Sequence, residues 1–135
     1  MIKGINSAEE QIIQNILKPY KADFDFFYYG SRVKGNFEKT SDLDVLIKGK
    51  EEMPYQKLEI IKFLFDNSDL PFVVNFTDFN NIEEKFYNLI SKDLFSIGSL
   101  FKRIDDPKQF FTMFEEILSI IKLIDHFKLN QKIGL

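Results

Sequence analysis

The sequence predicts an α+β fold with an extra C-terminal helix, on three observations. Apolar residues recur at helical spacing in "SAEEQIIQNILKPY", "PYQKLEIIKFLFDNS" and "IEEKFYNLISKDL". Between these segments stand the β-prone runs "FDFFYY", "LDVLIKG" and "LPFVVNFTDF". The block "DDPKQFFTMFEEILSIIKLIDHFKL" then closes the chain with a long apolar stripe. Two units follow from this order: residues 1–104 as the α+β domain and 105–135 as a helical extension packed on the same domain or on a partner.

The elements follow in order. Ser7 followed by Glu10 is a capping-box pattern, and Ile12, Ile13, Ile16 and Leu17 share one face, so a helix runs from about Ala8 to Lys18 and stops at Pro19. Phe24 to Tyr29 is a buried strand broken by Gly30, and Leu43 to Gly49 is the next strand. Pro54 opens a helix with Leu58, Ile61 and Phe65 inward, and Asp66, Asn67 and Ser68 form the turn after it. Leu70 to Phe79 is a third strand, with Asn75 and Thr77 on one face and Val74, Phe76 and Asp78 on the other. A helix over 82–94 and a short strand or arm over 94–101 complete the domain. In the last block Asp106 is the N-cap, Pro107 the first helical residue and Gln109 the capping-box partner. Phe110, Phe114, Ile117, Ile121, Ile124 and Phe127 form its stripe.

With 135 residues, 44% of them hydrophobic, the chain can build one core without staples. It has no cysteine and a single histidine, His126, so a metal site must be built mainly from oxygen ligands, which suits hard divalent cations. His126 has no sequence partner and reads as a helix-end residue without a catalytic role. The net charge of -3 argues against direct nucleic-acid binding through a basic surface. No apolar leader or membrane span is visible, which points to the cytoplasm.

The chemistry concentrates in "YGSRVKGNFEKTSDLDVLIK". Asp42 and Asp44 stand two apart at the start of a strand, so both carboxylates share a face. Such a pair repels itself unless a cation neutralises it, and Mg²⁺ held by one or two carboxylates plus substrate phosphates is the common solution. The Gly30-Ser31 turn offers N–H groups and a hydroxyl for a phosphate, and Gly35 lets the chain double back. Either feature alone is commonplace, a turn or a solvated strand edge. In sequence they describe Mg-triphosphate held between a turn and a strand mouth. Arg32 and Lys34 are available to steer the triphosphate or to pair with Glu38. Tyr28 and Tyr29 read as strand packing.

The stretch "GSRVKGNFEKTSDLDVLI" resembles the signature of the DNA polymerase beta nucleotidyltransferase superfamily, and with "SDLPFVVNFTDF" the chain looks like a minimal nucleotidyltransferase (MNT) of the HEPN/MNT toxin-antitoxin pairs. The resemblance covers about Phe24 to Gly98. It implies a mixed β-sheet flanked by helices, ATP or another NTP as substrate, and transfer of a nucleotidyl group to a hydroxyl, in many pairs a tyrosine of the HEPN toxin. Carried over by position, Gly30, Ser31 and Arg32 bind the nucleotide, and Asp42 and Asp44 are the catalytic residues that bridge two Mg²⁺ ions, with a single ion as the alternative. The implied partner is a HEPN-domain protein, with a homo-oligomer as the alternative assembly.

One position departs from the pattern. The family's third carboxylate falls at Asn75, whose amide oxygen is a weak, uncharged ligand and cannot accept a proton. Losing that charge costs on the order of a hundredfold in rate. Asp78 faces the other way in a regular strand and does not replace it. Two functions therefore stand side by side: a Mg²⁺-dependent adenylyltransferase, or a catalytically weakened MNT-like protein acting by nucleotide binding and association.

Overall fold

The computed structural model describes residues 1–98, 114–115 and 117–124. The chain divides into two compact units, Met1–Ser99 and Leu100–Leu135. The first contains, in order, α1 (Ser7–Leu17), β1 (Phe24–Tyr29), α2 (Ser31–Lys34), β2 (Leu43–Gly49), α3 (Tyr55–Asp66), β3 (Val74–Asp78), α4 (Glu84–Ile90) and β4 (Phe95–Ser96), with single 3₁₀ turns at Lys18–Tyr20, Phe79–Asn81 and Ser91–Asp93. The sheet order is β3-β2-β1-β4. β1 is antiparallel to β2 and β4, while β2 and β3 are parallel, so the sheet is mixed and the fold is α+β with flanking helices.

The sheet has two dissimilar faces. Phe24, Phe26 and Tyr28 of β1 alternate onto the same side as Leu43, Val45 and Ile47 of β2, and α1 and α3 cover them with Ile13, Leu17, Ile61 and Phe65. All ten side chains are buried, which makes this the core of the domain. The other face carries Tyr29, Asp44, Leu46, Asn75 and Thr77. There Phe86 of α4 meets the Tyr29 ring edge-on at 6.3 Å, and Lys48 lies over the Phe79 and Tyr87 rings at 4.8 and 5.8 Å.

Several boundaries differ from the sequence reading for identifiable reasons. The capping box of α1 is Asn6 with Glu9, one residue earlier than the Ser7–Glu10 pattern: Asn6 Oδ1 accepts the Glu9 N–H at 2.8 Å, and Glu9 Oε1 accepts the Asn6 N–H at 3.0 Å. Glu10 is unavailable as a cap because it turns into the core. Pro54 is the N-cap of α3 and not its first residue, its carbonyl accepting the Leu58 N–H at 3.1 Å. β3 begins at Val74, four residues later than expected; Pro71, which has no N–H to donate, lies in the bend before it. α4 spans only Glu84–Ile90 before tightening into the 3₁₀ turn.

Residues 114–115 and 117–124 are helical, and Ile117, Ile120, Ile121, Leu123 and Ile124 are exposed. The expected boundary between residues 104 and 105, the Pro107 helix start, Phe110, Phe127 and His126 lie outside the described residues. Among the described residues no helix is long and apolar enough to cross a membrane.

A buried polar group crosses the core. The Tyr28 hydroxyl donates to Glu10 Oε2 at 2.5 Å, and Gln14 Nε2 donates to Glu10 Oε1 at 2.9 Å. Burial, followed by the Glu10 hydrogen bond and charge, pushes the Tyr28 hydroxyl far above its ordinary value, so it remains a donor at every physiological pH. Tyr28→Phe strips Glu10 of this donor inside the core. Unfolding in urea is expected to show a loss of about 1–3 kcal/mol, and an unchanged midpoint would refute the assignment.

Candidate active site at the mouth of the central strands

The polar face of the sheet builds the site through strand register. Asp44, the second residue of β2, pairs with Tyr29 of β1 on one side and Asn75 of β3 on the other. Laterally paired residues share a face, so the three side chains form one row across the sheet. Asp42 precedes β2, and the Leu43 N–H, bonded to the Val73 carbonyl at 2.8 Å, fixes the start of the strand. Asn75 Nδ2 donates to Asp42 Oδ2 at 3.0 Å and to Asp44 Oδ1 at 3.4 Å, so one amide spans both carboxylates.

Gly30 stands against this row. Its φ of 84° is one that side chains rarely adopt, and a Cβ there would lie 2.5 Å from Asp44 Oδ2. The Gly30 carbonyl accepts the N–H groups of Val33 and Lys34, both at 3.1 Å, which launches α2, and Ser31 is its first residue. At the far end Gly35, with φ 93°, closes the turn through its N–H to the Ser31 carbonyl at 2.9 Å. The structure thus brings Gly30, Asp42, Asp44 and Asn75 together, with Ser31 next in the chain.

Arg32, carried over as a nucleotide ligand, is buried at 4% exposure, and its guanidinium donates to three carbonyls: Ser41 at 2.9 Å, Gly4 at 2.7 Å and Lys39 at 3.1 Å. Phe72 and Phe37 lie over it at 4.2 and 5.2 Å. A planar fork with three of its five donors bound in this way holds the 36–41 loop in place and so delivers Asp42. Lys34 pairs with Asp93 at 3.8 Å. Asp78 lies on the face away from Asn75, accepting the Met53 N–H at 2.8 Å and the Asn80 N–H at 2.9 Å.

Sequence reasoning missed Tyr29 and Thr77 as parts of the site. Their hydroxyls are 2.9 Å apart, beside Asp44. Burial raises the Tyr29 hydroxyl above its ordinary value; the Thr77 bond lowers it, and the Asp44 charge raises it again. Period-two alternation puts Thr77 on the Asn75 side, but only the strand order brings it to Tyr29.

The Asp44 carboxyl is also held above its usual range, first by burial; the Asn75 bond acts against this and the Asp42 charge adds to it. The carboxylates of Asp42 and Asp44 fit a hard divalent cation whose remaining ligands are water and phosphate oxygens, while Asn75 turns its amide nitrogen toward them. Among the described residues no group of three acidic, histidine or cysteine side chains gathers as a metal site, so any cation here relies on the aspartate pair and on ligands from the nucleotide.

A mixed sheet with a glycine-serine turn pressed against an Asp-x-Asp strand mouth defines a nucleotidyltransferase scaffold. The family described as "Nucleotidyltransferase domain" matches residues 9–106, and the chain belongs to it, as a minimal nucleotidyltransferase. The chain is 34% identical over 103 residues to a "Probable protein adenylyltransferase MntA" from Haemophilus influenzae, covering 76% of this chain and 90% of that one. A crystal structure from Shewanella oneidensis shares the fold with a TM-score of 0.52 over 96% of this chain and 95% of its own, at 11% identity.

Gly30→Ala places a methyl group on the Asp44 carboxylate and strains the backbone. Denaturation is expected to register a loss of about 1–3 kcal/mol, and a variant as stable as the parent would contradict the geometry. For Asp44→Asn in the cation-free protein the sign runs the other way. Because folding raises the Asp44 carboxyl, the folded state binds more protons than the unfolded one just above the ordinary value of 3.8, and the charged form is a destabilising element at neutral pH. The variant should melt higher than the parent at pH 7, and the gain should shrink as pH falls through the raised value and vanish below 3.8. A lower melting temperature at pH 7 would sink this reading.

Proposed function

We propose that the chain transfers a nucleoside monophosphate, AMP from ATP, to a hydroxyl of a protein partner, with Mg²⁺ at Asp42 and Asp44. The observation that carries this reading is the contact between Gly30 and Asp44, which sets the phosphate turn against the cation-binding carboxylates. The adenylyl group and the protein acceptor are supported by the name of the Haemophilus influenzae relative. When bound, the cation neutralises the triphosphate and polarises the α-phosphate. The residues do the remaining work. Gly30, lacking a side chain, leaves room beside Asp44, Ser31 offers its hydroxyl to a phosphate oxygen, and Arg32 holds the loop that carries Asp42. The acceptor oxygen bonds to the α-phosphorus as the bond to the β-phosphate oxygen breaks. Pyrophosphate departs with that electron pair, and the hydroxyl proton passes to solvent.

The acceptor proposed is a tyrosine of a HEPN-domain toxin in the cytoplasm, on the resemblance of the motif to HEPN-paired proteins. The exposed apolar side chains of Ile117, Ile120 and Leu123 are surface that such a partner can cover, with a second copy of the chain as the alternative. A second reading, a weakened transferase acting by association, is favoured by Asn75 at the third-ligand position.

Incubation with labelled ATP, Mg²⁺ and the protein encoded beside this one separates the two. Transfer to the partner, lowered about a hundredfold or more in Asp42→Ala, is the expected result. A stable complex without label transfer favours the second reading. Neither label nor complex would reject both.

A further inference from the structure

We propose that Asn75 makes this a one-cation site: its amide takes the place of a second positive charge between Asp42 and Asp44, so the bound nucleotide brings a single divalent cation with it. This rests on the reading of the aspartate pair as a Mg-nucleotide site.

The argument starts from charge. Two carboxylates on one strand face, one of them half-buried, repel each other. Asn75 Nδ2 bonds to both, at 3.0 and 3.4 Å, and so offers partial positive charge where a carboxylate at this position would add a third negative one. The cluster then carries two charges. That suits one divalent cation, whose octahedral shell the triphosphate completes. A second ion would need another anionic ligand from the outer strand.

β3 does not supply one. Asp78 lies on the opposite face, holding the Met53 and Asn80 N–H groups. Thr77, the next residue on the site face, is paired through its hydroxyl with Tyr29. The outer strand therefore presents only uncharged groups to the site, the Asn75 amide and the Thr77 hydroxyl. Asp42 and Asp44 would hold the one cation beside the phosphates, and a second would need a carboxylate at position 75. The site keeps its grip on the nucleotide while the acceptor hydroxyl goes without an ion of its own.

The test counts ions and does not depend on turnover. The full chain is saturated with α,β-methylene-ATP, which cannot transfer its nucleotidyl group, and titrated with Mn²⁺ while the free-ion signal is followed by electron paramagnetic resonance. The expected result is a single Mn²⁺ per chain in the ternary complex, rising to a second in Asn75→Asp, with circular dichroism confirming that the variant is folded. Two ions in the parent chain, or no additional ion in a folded Asn75→Asp, would overturn the one-cation assignment and leave the nucleotide site standing. Failure of the parent to bind the analogue at all, or equal binding by Asp42→Ala, would overturn the nucleotide reading and this inference with it.

Discussion

The approach of the Gly30 backbone to the Asp44 carboxylate organises the molecule's polar end. β1 and β2 are antiparallel with Tyr29 opposite Asp44, so the chain must turn immediately beside that side chain. A Cβ at Gly30 would stand 2.5 Å from Asp44 Oδ2, and the φ of 84° is itself costly for any other residue. From that turn α2 carries Arg32 inward. Its guanidinium ties together the carbonyls of Gly4, Lys39 and Ser41, and the loop returns to Asp42 in a fixed position. Gly4 is equally constrained, since a side chain there would collide with Arg32. One glycine contact and one buried cation thus fix the two ends of the motif relative to each other.

The two faces of the sheet divide stability from chemistry. The α1/α3 side is mostly apolar, its polar members being the bonded Glu10, Gln14 and Tyr28 group and Asp78 at the end of β3, and it supplies the burial that holds the fold. The opposite side gathers two carboxylates against that stability. Burial and the neighbouring charge raise the Asp44 carboxyl, and the Asn75 amide partly relieves it. Sites of this kind are expected to cost the fold something in the resting state, because what suits a cation does not suit its absence.

Much of this was legible in the sequence. Alternation at period two put Asp42 beside Asp44 and set Asn75 and Thr77 apart from Asp78, because strand pleating is a local property that every tertiary arrangement preserves. Helical spacing likewise identified Ile61 and Phe65 as inward. The surroundings of Arg32 were not legible, for a physical reason. A guanidinium beside a phosphate-binding motif and one clamping a loop look alike in sequence, and only the positions of three distant carbonyls distinguish them. The same holds for Glu10, which local pattern assigns to a cap and the core claims for Tyr28.

The sequence by itself determined the elements, the shared face of the two aspartates and the loss of a carboxylate at position 75, since each follows from residue type and short-range geometry. Tertiary structure decided what those residues meet. Parallel pairing of β3 with β2 brings the Asn75 amide onto both carboxylates, and antiparallel β1 sets Tyr29 beside Asp44 and, across the sheet, against Thr77. Strand order and register arise from long-range packing of the apolar face, on which the polar residues have little influence. The partners of the site are therefore chosen by a core they do not belong to.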